Sequence, residues 1–440
     1  MPLTFLSDQL CSILGISTDE NHNTWRQVLT LVPGSSYVAE EFYALISAEG
    51  EARLFDQNLF SRRLGSVLMS GFLKMTICVG LVTALVVFFY FMEWQLTLLG
   101  LAPTVFALVC TLGTLKVMGQ PLGIPTLMVT VVVIGMGTDY ALYLIRAYQR
   151  YFDDDNKSLG LIRLSVFLSF ATTFLGFGVL AVCDNPMLKS AGMSLTLGIG
   201  YSFIGAVTIV PPLVKQLFAP VQFAEGSTKA GSRQHFQRFL SHYRHLEAYP
   251  RFFARFKVLC DPMFPRLAEF LTAPRTVIDI GSGYGVPAVW LLEMFPGTRL
   301  FGIEPDEARA RIATRVIGNR GTVQVGRAPD IPAVPEPADA ALMLDMLHYL
   351  TDDEALLTLV RIREKLLPAA TLIVRVTIPL HECAPILRVI ESTRLKIFGI
   401  VPFFRNAQQV RALITGAGFS IMCEEASAPG REEIWFIARS

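Results

Sequence analysis

Five long apolar runs occupy the first half of the chain and limit most strongly what it can fold into. A helix of about 20 apolar residues is long enough to cross a bilayer. A buried core helix could explain one such run, but five in succession predict an all-α transmembrane bundle of about five spans. A hydrophobic fraction of 52% agrees with this prediction. The runs are Leu73–Met92, Leu96–Val117, Ile124–Ala147, Leu161–Val182 and Ala191–Phe218.

The distribution of basic residues predicts how the spans are oriented. The loop between the third and fourth runs is rich in them, with Arg146, Arg150, Lys157 and Arg163. Basic loops face the cytoplasm, so residues 1–66 should lie outside and everything after Lys215 inside. Arg53, Arg62, Arg63 and Lys74 do not follow this rule. We expect a multi-pass protein of the bacterial inner membrane, and the net charge of +1 gives no reason to expect a nucleic-acid partner.

An acidic residue, Asp139, lies inside the third run, in GMGTDYALYLIRAY. A carboxylate in a membrane span is costly unless it faces a cavity or a partner. One interpretation is a proton-relay acid, with Tyr140 beside it. The alternative is a protonated or hydrogen-bonded residue that only packs helices together.

The stretch from Phe60 to Phe218 resembles the C-terminal membrane half of MmpL-like exporters of the resistance-nodulation-division superfamily. Gly135, Asp139 and Tyr140 match the G-x-x-x-D-Y signature. The resemblance implies proton coupling at the aspartate, and it makes residues 1–66 a remnant of an extracytoplasmic domain and residues 67–219 an exporter half-domain. The family carries two repeats of such spans, whereas this chain has one incomplete repeat. Transport would therefore require a second chain that supplies the missing half, or else the spans serve as an anchor.

Residues 220–245 are predicted to form a linker and a basic amphipathic helix. The composition becomes small and polar from Pro220 to Gly231. From Arg233 to Lys257, apolar residues recur at helical spacing among arginines, which fits a helix on an anionic membrane face. A helix packed across the following domain is the alternative. His235, His242 and His245 fall in this segment, but neither they nor the seven scattered cysteines form a ligand pattern, so we expect no metal site.

From Thr276 onward, short apolar strands alternate with helical segments. This order is typical of an α/β Rossmann-like, doubly wound parallel sheet. The segment AGFSI followed by EIWFIAR predicts a closing antiparallel strand pair. A ligand should bind at the carboxyl ends of the parallel strands, near the point where the strand order reverses.

The first predicted strand ends in Asp279-Ile-Gly281-Ser282-Gly283-Tyr-Gly285, and the second ends at Glu304. Glycines let the backbone approach a ligand closely, and a carboxylate after the second strand can accept hydrogen bonds from ribose hydroxyls. A dinucleotide site shares these features. However, Val286 stands where such a site needs glycine or alanine, and Asp279 suits a cation better than a pyrophosphate.

The segment from 246 to 440 resembles class I S-adenosylmethionine-dependent methyltransferases. The resemblance implies that Asp279 and the loop with Gly281, Ser282, Gly283 and Gly285 bind the methionine part of the cofactor. It assigns the ribose to Glu304 and the adenine to Gly326–Ile331, with Ala328 and Asp330. Pro305 and Asp345 are also implied as cofactor-binding residues. Asp345 would lie at the reaction face. The sequence of this domain, including DIGSGYGVPAVWLLE, also resembles methyltransferases that accompany aryl-polyene or lipid biosynthesis clusters. That resemblance implies a hydrophobic or carrier-bound acceptor.

His348 is the best-placed candidate for a general base, supported by Asp345, Tyr349 and Tyr284. It could instead be a residue at a helix start that contacts the cofactor or the backbone. The insertion His381–Ala407 is apolar and predicts either a lid over the acceptor pocket or a core helix, and its arginines 388, 394 and 405 could meet an acidic carrier or lipid headgroups.

The sequence therefore favours a membrane-tethered methyltransferase that acts on a hydrophobic acceptor at the cytoplasmic membrane face. A half-subunit of a proton-coupled lipid or polyene exporter, with an auxiliary or inactive methyltransferase domain, is the alternative. An inactive fusion or scaffold is the third possibility.

Overall fold

The computed structural model describes residues 15–19, 24–50, 52–120, 124–151, 157–219, 223, 226, 228–379, 402–429 and 431–440. These residues form two units. The first contains the described residues up to Cys78 together with 124–128, and the second contains those from Val79 onward apart from that short segment.

The first unit begins with a small antiparallel strand pair, β1 (Ile16–Asp19) and β2 (Thr24–Gln27). Helix α1 (Ala39–Glu49) follows, and then the first part of α2 (Gln57–Phe91). Asp56 accepts hydrogen bonds from the Leu59 amide and the Tyr37 hydroxyl, both at 2.8 Å. The Asp56 carboxylate thus satisfies one of the free amides at the start of α2.

The second unit opens with a bundle of long helices. It comprises the rest of α2, α3 (Trp94–Val117), α4 (Ile124–Arg150) from Val129 onward, α5 (Lys157–Gly178) and α6 (Pro186–Leu217). A short 3-10 turn, Val179–Val182, follows α5. Among the described residues, five helices are long and apolar enough to cross a membrane. The predicted transmembrane bundle is confirmed.

Small residues let the helices of the bundle approach one another closely. A Cβ atom on Gly137 would lie 2.5 Å from the Ser202 hydroxyl, and one on Gly198 would lie 2.3 Å from a methyl group of Val133. The Thr104 and Thr138 hydroxyls are 3.1 Å apart, so α3 and α4 are also joined by a hydrogen bond. Close packing of small residues and interhelical hydrogen bonds are what hold helices together in lipid.

A seven-stranded sheet forms the second part of this unit, with strand order β5-β4-β3-β6-β7-β9-β8. The first five strands in that order are parallel, and β9 runs antiparallel between β7 and β8. The predicted doubly wound sheet and its closing pair are confirmed. The elements are β3 (Thr276–Ile280), β4 (Arg299–Glu304), β5 (Gly321–Val325), β6 (Ala338–Leu344), β7 (Leu366–Thr377), β8 (Ser420–Ala426) and β9 (Glu433–Arg439).

Helices cover both faces of this sheet, so side chains from successive residues of a strand enter different cores. Val277 lies in one core with the helices that precede or follow β3 and β4, whereas Ile278 lies in the other core with the helices near β6 and β8. The first group contains α7 (Arg233–His242), α8 (Ala248–Cys260), α9 (Met263–Leu267), α10 (Val286–Met294) and α11 (Glu307–Ile317). The second contains α12 (Asp352–Glu364) and α13 (Ala407–Gly416).

The basic segment Arg233–Lys257 forms two helices, α7 and α8, where the sequence predicted one. They are separated around His245, whose φ of +63° lies in the left-handed region. Phe239 and Tyr243 are fully buried in the core of the sheet, and His235 Nε2 lies 3.0 Å from the Trp290 carbonyl. The sequence left open whether this helix lies on the membrane or packs against the following domain, and α7 packs against the domain. Because this helix belongs to the core, we propose that the domain begins near Ser232 and not at residue 246.

The sheet domain is attached to the bundle through Glu93, in the turn between α2 and α3. Arg251 of α8 donates to Glu93 Oε2 at 2.7 Å and to the carbonyl oxygens of Phe91 and Met92 at 2.8 and 3.0 Å. His245 Nδ1 lies 2.6 Å from Glu93 Oε1. One carboxylate at the end of a span thus holds two residues of the connecting segment.

A second attachment joins α11 to the carboxyl end of α4. Arg311 donates to the Arg150 carbonyl at 3.0 Å, and Arg315 donates to the Gln149 carbonyl at 3.1 Å. The Gln149 side chain donates to the His245 carbonyl at 3.0 Å. The last carbonyl groups of a helix have no partner within it and carry partial negative charge, so arginines are well suited to this position.

We expect Arg251→Ala to loosen the attachment of the sheet domain. Removing a largely buried, charge-assisted contact costs about 2 kcal/mol, which should lower the melting temperature of the domain by about 4–8 °C in detergent-solubilised full-length protein. Arg255→Ala, on the exposed side of the same helix, is the control. Equal behaviour of the two variants would contradict the assigned role of Arg251.

Candidate active site

The loop after β3 forms the centre of the candidate site. Asp279, near the end of β3, is buried, and the amides of Gly281 and Ser282 both donate to the Ile303 carbonyl at 3.0 and 3.1 Å. Gly281, Gly283 and Gly285 have φ values of +80°, +56° and +73°. The loop thus turns over the end of β4 in a conformation that side chains disfavour.

Gly285 shows most clearly why the loop needs glycine. It combines a positive φ with close packing, because an added Cβ would lie 3.2 Å from the Ala313 Cα of α11. Gly285 also directly precedes the first residue of α10. The spacing of glycines in the sequence therefore matches a real steric requirement where α10 and α11 converge.

Glu304, the last residue of β4, is buried and supports the loop. Its Oε2 accepts from the Gly283 amide at 2.8 Å, and its Oε1 accepts from the Asp306 amide at 3.3 Å. A carboxylate has about four lone-pair positions, so acceptor capacity is left for the ribose hydroxyls that the sequence assigns to it. Pro305, which follows it, is exposed.

Burial raises the pKa of Asp279 to about 7, and the nearby carboxylate of Glu304 adds to this shift, although a hydrogen bond from Ser282 opposes it. Desolvation disfavours the charged form of an acid. A cation placed beside Asp279 would reverse that preference. The residue is therefore poised to ionise when a positively charged ligand binds.

Asp345 follows β6 with a φ of +55°, an uncommon value for a residue other than glycine. Its Oδ2 accepts from Arg375 at 2.9 Å and from Lys257 at 3.4 Å. Asp261 binds the same two cations, with both carboxylate oxygens 2.9 Å from the Arg375 guanidinium. This network fixes the direction in which the Asp345 side chain points.

Lys257, Asp261 and Arg375 were not predicted from the sequence as site residues. The signal that could have revealed them is Arg375, a basic residue within the apolar segment LIVRV. In the structure Arg375 is only 2% exposed. A buried arginine requires acidic partners. Burial opposes the charged forms, but the two cations hold the pKa of Asp261 below its usual range, and the two carboxylates hold the pKa of Lys257 above its own.

His348, the candidate base, is buried in a short 3-10 turn after β6. Its ring lies 4.1 Å from the Tyr349 ring and stacks on Phe404 at 5.8 Å between centroids. Burial lowers the pKa of His348, with Arg405 contributing and Asp345 opposing the shift. The imidazole is therefore neutral near pH 7, which is the form that can accept a proton.

The chain returns to the site after the predicted insertion. The Phe403 amide donates to the His348 carbonyl at 2.7 Å, and Arg405 donates to the Leu347 and Leu350 carbonyls at 2.9 and 2.7 Å. Phe403 and Phe404 are exposed on one side. Most of the predicted lid, residues 381–401 with arginines 388 and 394, lies outside the described residues.

The predicted adenine loop divides into a buried and an exposed part. Ala328 is buried, whereas the Asp330 side chain is mostly exposed and lies 3.2 Å from Arg361.

The β3 and β6 loops meet directly, because a Cβ on Gly281 would lie 3.2 Å from the Met346 Cβ. The structure therefore brings the loop glycines, Asp279, Glu304 and the segment 345–349 together at the carboxyl ends of the parallel strands.

Asp139 and Tyr140 belong to a different place, the membrane helix α4. Asp139 borders a groove of about 480 Å³ between α4 and α5, where Tyr143, Ser165 and Ser169 also contribute. An intramembrane carboxylate needs a cavity or a polar partner, and this groove offers open space beside the hydroxyls of Tyr143, Ser165 and Ser169.

Buried polar atoms at the carboxyl ends of the parallel strands indicate where a ligand would bind. Within the part of the chain that the structure describes, Asp279 Oδ2, Asp345 Oδ1 and His348 Nδ1 are buried without a hydrogen-bond partner. Such atoms are rare in folded proteins and call for a functional explanation. Two carboxylates, a glycine loop and Glu304 together fit a ligand with a cationic amino-acid part and a ribose, which is the chemistry of S-adenosylmethionine.

Comparison with known proteins gives two relatives that are named as membrane proteins. A Methanocaldococcus jannaschii protein named as a membrane protein is 26% identical over 164 residues, which are 35% of this chain and 42% of the relative. A Streptomyces coelicolor protein named in the same way is 30% identical over 139 residues, which are 30% of this chain and 16% of the relative. The chain thus spans less than half the length of either relative.

Several of the similar solved structures are named as methyltransferases. An S-adenosylmethionine-dependent methyltransferase from Mesorhizobium loti is 20% identical, with 42% of this chain and 100% of that chain covered and a TM-score of 0.35. An O-methyltransferase from neocarzinostatin biosynthesis, solved with S-adenosylhomocysteine and a dihydroxynaphthoic acid, is 18% identical, with 44% and 57% covered and a TM-score of 0.35.

Two family models match, one in each half of the chain. Residues 64–250 match the MMPL family, and residues 277–369 match a methyltransferase domain that includes Asp279, Glu304 and His348. The chain therefore joins a region that matches the MMPL family to a region that matches a methyltransferase domain. The predicted fusion and the methyltransferase class of its second part are confirmed.

Asp279 should make cofactor binding depend on pH. Between about pH 4 and 7 the unfolded chain ionises this residue while the folded protein keeps the proton, so the raised pKa costs folding stability as pH rises through that window. A bound cation should drive the proton off. We expect calorimetry of full-length protein with S-adenosylmethionine at pH 6, in buffers of different ionisation enthalpy, to show proton release that disappears by pH 8.5.

Asp279→Asn should abolish this proton release and raise the Kd about tenfold or more. Glu304→Gln is the matched control, since it should weaken binding while leaving proton release in place. Unchanged release in the Asp279→Asn variant would assign the proton to another group.

Proposed function

We propose that the protein is a membrane-tethered methyltransferase that transfers the methyl group of S-adenosylmethionine to a hydrophobic lipid, polyene or aromatic acceptor at the cytoplasmic face of the bacterial inner membrane. The observation that carries this proposal is the attachment of the sheet domain to the ends of the membrane helices, through Glu93 and the last carbonyls of α4. An enzyme for a freely soluble acceptor has no need of that position.

The charge distribution supports a cytosolic location for the domain. The attached helix ends are the turn at Glu93 and the carboxyl end of α4 at Arg150. Arg150 begins the Arg/Lys-rich loop, which by the positive-inside tendency faces the cytoplasm. The methyltransferase domain then lies on the side where the cell makes S-adenosylmethionine.

The cofactor supplies an activated methyl group when it is bound, so the protein must mainly orient an acceptor and exclude water. We assign the methionine part to Asp279, Ser282 and the glycine loop, and the ribose to Glu304. Asp345 is kept in place by Arg375 and Lys257, with one carboxylate oxygen left for the ligand.

We assign the acceptor side to His348, Tyr349 and Phe404. The neutral His348 imidazole can take a proton from a hydroxyl or phenol acceptor as the new bond to the methyl group forms. The aromatic rings beside it provide an apolar wall that keeps water away from the reacting atoms. Within the acceptor class, these rings favour an acceptor with an apolar or aromatic part.

A second candidate function is a half-subunit of a proton-coupled exporter with an auxiliary or inactive methyltransferase domain. The groove beside Asp139 favours it, because a carboxylate that faces open space within the membrane can load and release a proton. In this case a partner chain must supply the missing half, and Tyr140 would act with Asp139.

We expect His348→Gln to lower the rate of methyl transfer about 100-fold or more, the usual contribution of a general base. Transfer is measured with tritiated cofactor as label in the organic-soluble fraction of membranes that contain the protein. Cofactor affinity should stay unchanged, because the lost group acts on the acceptor. Tyr349→Phe is the milder companion. A fall in affinity in place of the rate would assign His348 to cofactor binding.

Asp139→Asn separates the two candidate functions. The variant should methylate at the normal rate if the spans only tether the enzyme, whereas an exporter should lose proton-coupled efflux. Ser165→Ala in the same groove controls for general damage to the bundle. Loss of methylation together with efflux would contradict the simple tether.

A further inference from the structure

Helix α8 exposes an aromatic stripe, which consists of Tyr249, Phe252, Phe253, Phe256 and Leu259. The opposite face of the helix, with Ala254 and Val258, is buried in the core of the sheet domain. Phe256 is 57% exposed and Leu259 58%, although both are large and apolar. Arg255 flanks the stripe, and no acidic residue lies between Ala248 and Cys260.

The start of α8 lies at the end of a membrane span. Arg251 binds the carbonyl oxygens of Phe91 and Met92, the last residues before Glu93. Tyr90 and Trp94, on either side of that turn, are exposed. Aromatic residues at the ends of spans sit at the level of the lipid headgroups, so α8 begins at that level.

The aromatic stripe also reaches the candidate active site. The Phe253 ring lies 5.3 Å from the ring of Tyr284, and Tyr249 lies 6.0 Å from it. Tyr284 stands between Gly283 and Gly285 of the cofactor loop. Farther along α8, Lys257 reaches Asp345. The helix therefore passes along the cofactor site while its stripe faces away from the core.

We propose that the aromatic stripe of α8 lies in the headgroup region of the bilayer, so that the methyl-donor site opens onto lipid and takes its acceptor directly from the membrane. An apolar helix face flanked by basic residues is what binds an anionic bilayer surface in its plane. The proposal rests on the proposed function for its purpose, but the position of the stripe can be measured without any catalysis.

This arrangement assigns the membrane-binding role to α8, whereas α7 uses its apolar residues in the core. It also narrows the acceptor class to molecules that dissolve in the bilayer and carry the methylated atom close to the headgroups. Such an acceptor would slide along the stripe to Tyr284 without exposing its apolar part to water.

Fluorescence quenching by lipids tests the proposal. Full-length protein carries dansylalanine at position 249, 256 or 422 and is placed in nanodiscs of anionic lipid with or without a nitroxide near the headgroup. Met422 is the control, because it is 61% exposed but lies far from the membrane attachment. It is on β8, at one edge of the sheet, whereas the membrane-attached α11 packs against β4 and β5 at the other edge.

We expect positions 249 and 256 to lose most of their fluorescence to the nitroxide lipid and position 422 to lose little. Position 256 is decisive, because it lies about 10 Å along the helix from position 249. Quenching at 249 alone would mean that α8 leaves the membrane and would overturn the proposal. An absence of quenching at both would mean that protein or water covers the stripe, with the same consequence.

The methylation assay keeps this proposal separate from the proposed function. Quenching without methyl transfer would support the proposed position of α8 and contradict the proposed methyltransferase activity. Methyl transfer without quenching would support the activity and contradict the position of α8.

Discussion

The pairing of the largely buried Glu93 carboxylate with His245 and Arg251 is the interaction on which the arrangement of the sheet domain and the bundle depends. Glu93 lies in a turn of two residues between two helices. It pairs with His245, in the break between α7 and α8, and with Arg251 of α8. A partly buried charge is costly when its partner is removed. The connecting segment can therefore satisfy Glu93 only where both residues reach it, which restricts where α8 can start.

The candidate active site shows the opposite behaviour, since its polar groups are left incompletely satisfied. Asp279 keeps a raised pKa, and Asp345 combines a left-handed backbone with a free carboxylate oxygen. These features cost folding free energy, and the well-packed sheet around them offsets that cost. The paired network of Arg375, Lys257 and Asp261 is what allows Asp345 to remain in this state.

Patterns within single segments were enough to predict most of the fold. The five spans, the parallel sheet, its closing pair and the glycine loop all follow from local periodicity and spacing, and the structure has them. The network around Arg375 could not be predicted in the same way. Lys257 and Asp261 are neighbours at the end of α8, but Arg375 and Asp345 come from β7 and from the loop after β6. The prediction of one helix from Arg233 to Lys257 was wrong for a related reason. The apolar residues have helical spacing throughout this segment, but tertiary contacts at His245 interrupt the helix. The roles of individual site residues stay predictions.

That break explains how one basic segment can serve both halves of the chain. In a continuous helix the directions of Phe239 and Phe256 would be fixed relative to each other, because seventeen residues of regular helix would separate them. The left-handed His245 resets the direction of the chain between them. As a result, α7 buries its apolar residues under the sheet, while α8 buries its small residues and leaves its aromatic stripe exposed. The same residue that interrupts the helix also contacts Glu93, so the change of direction and the attachment to the bundle occur at one point.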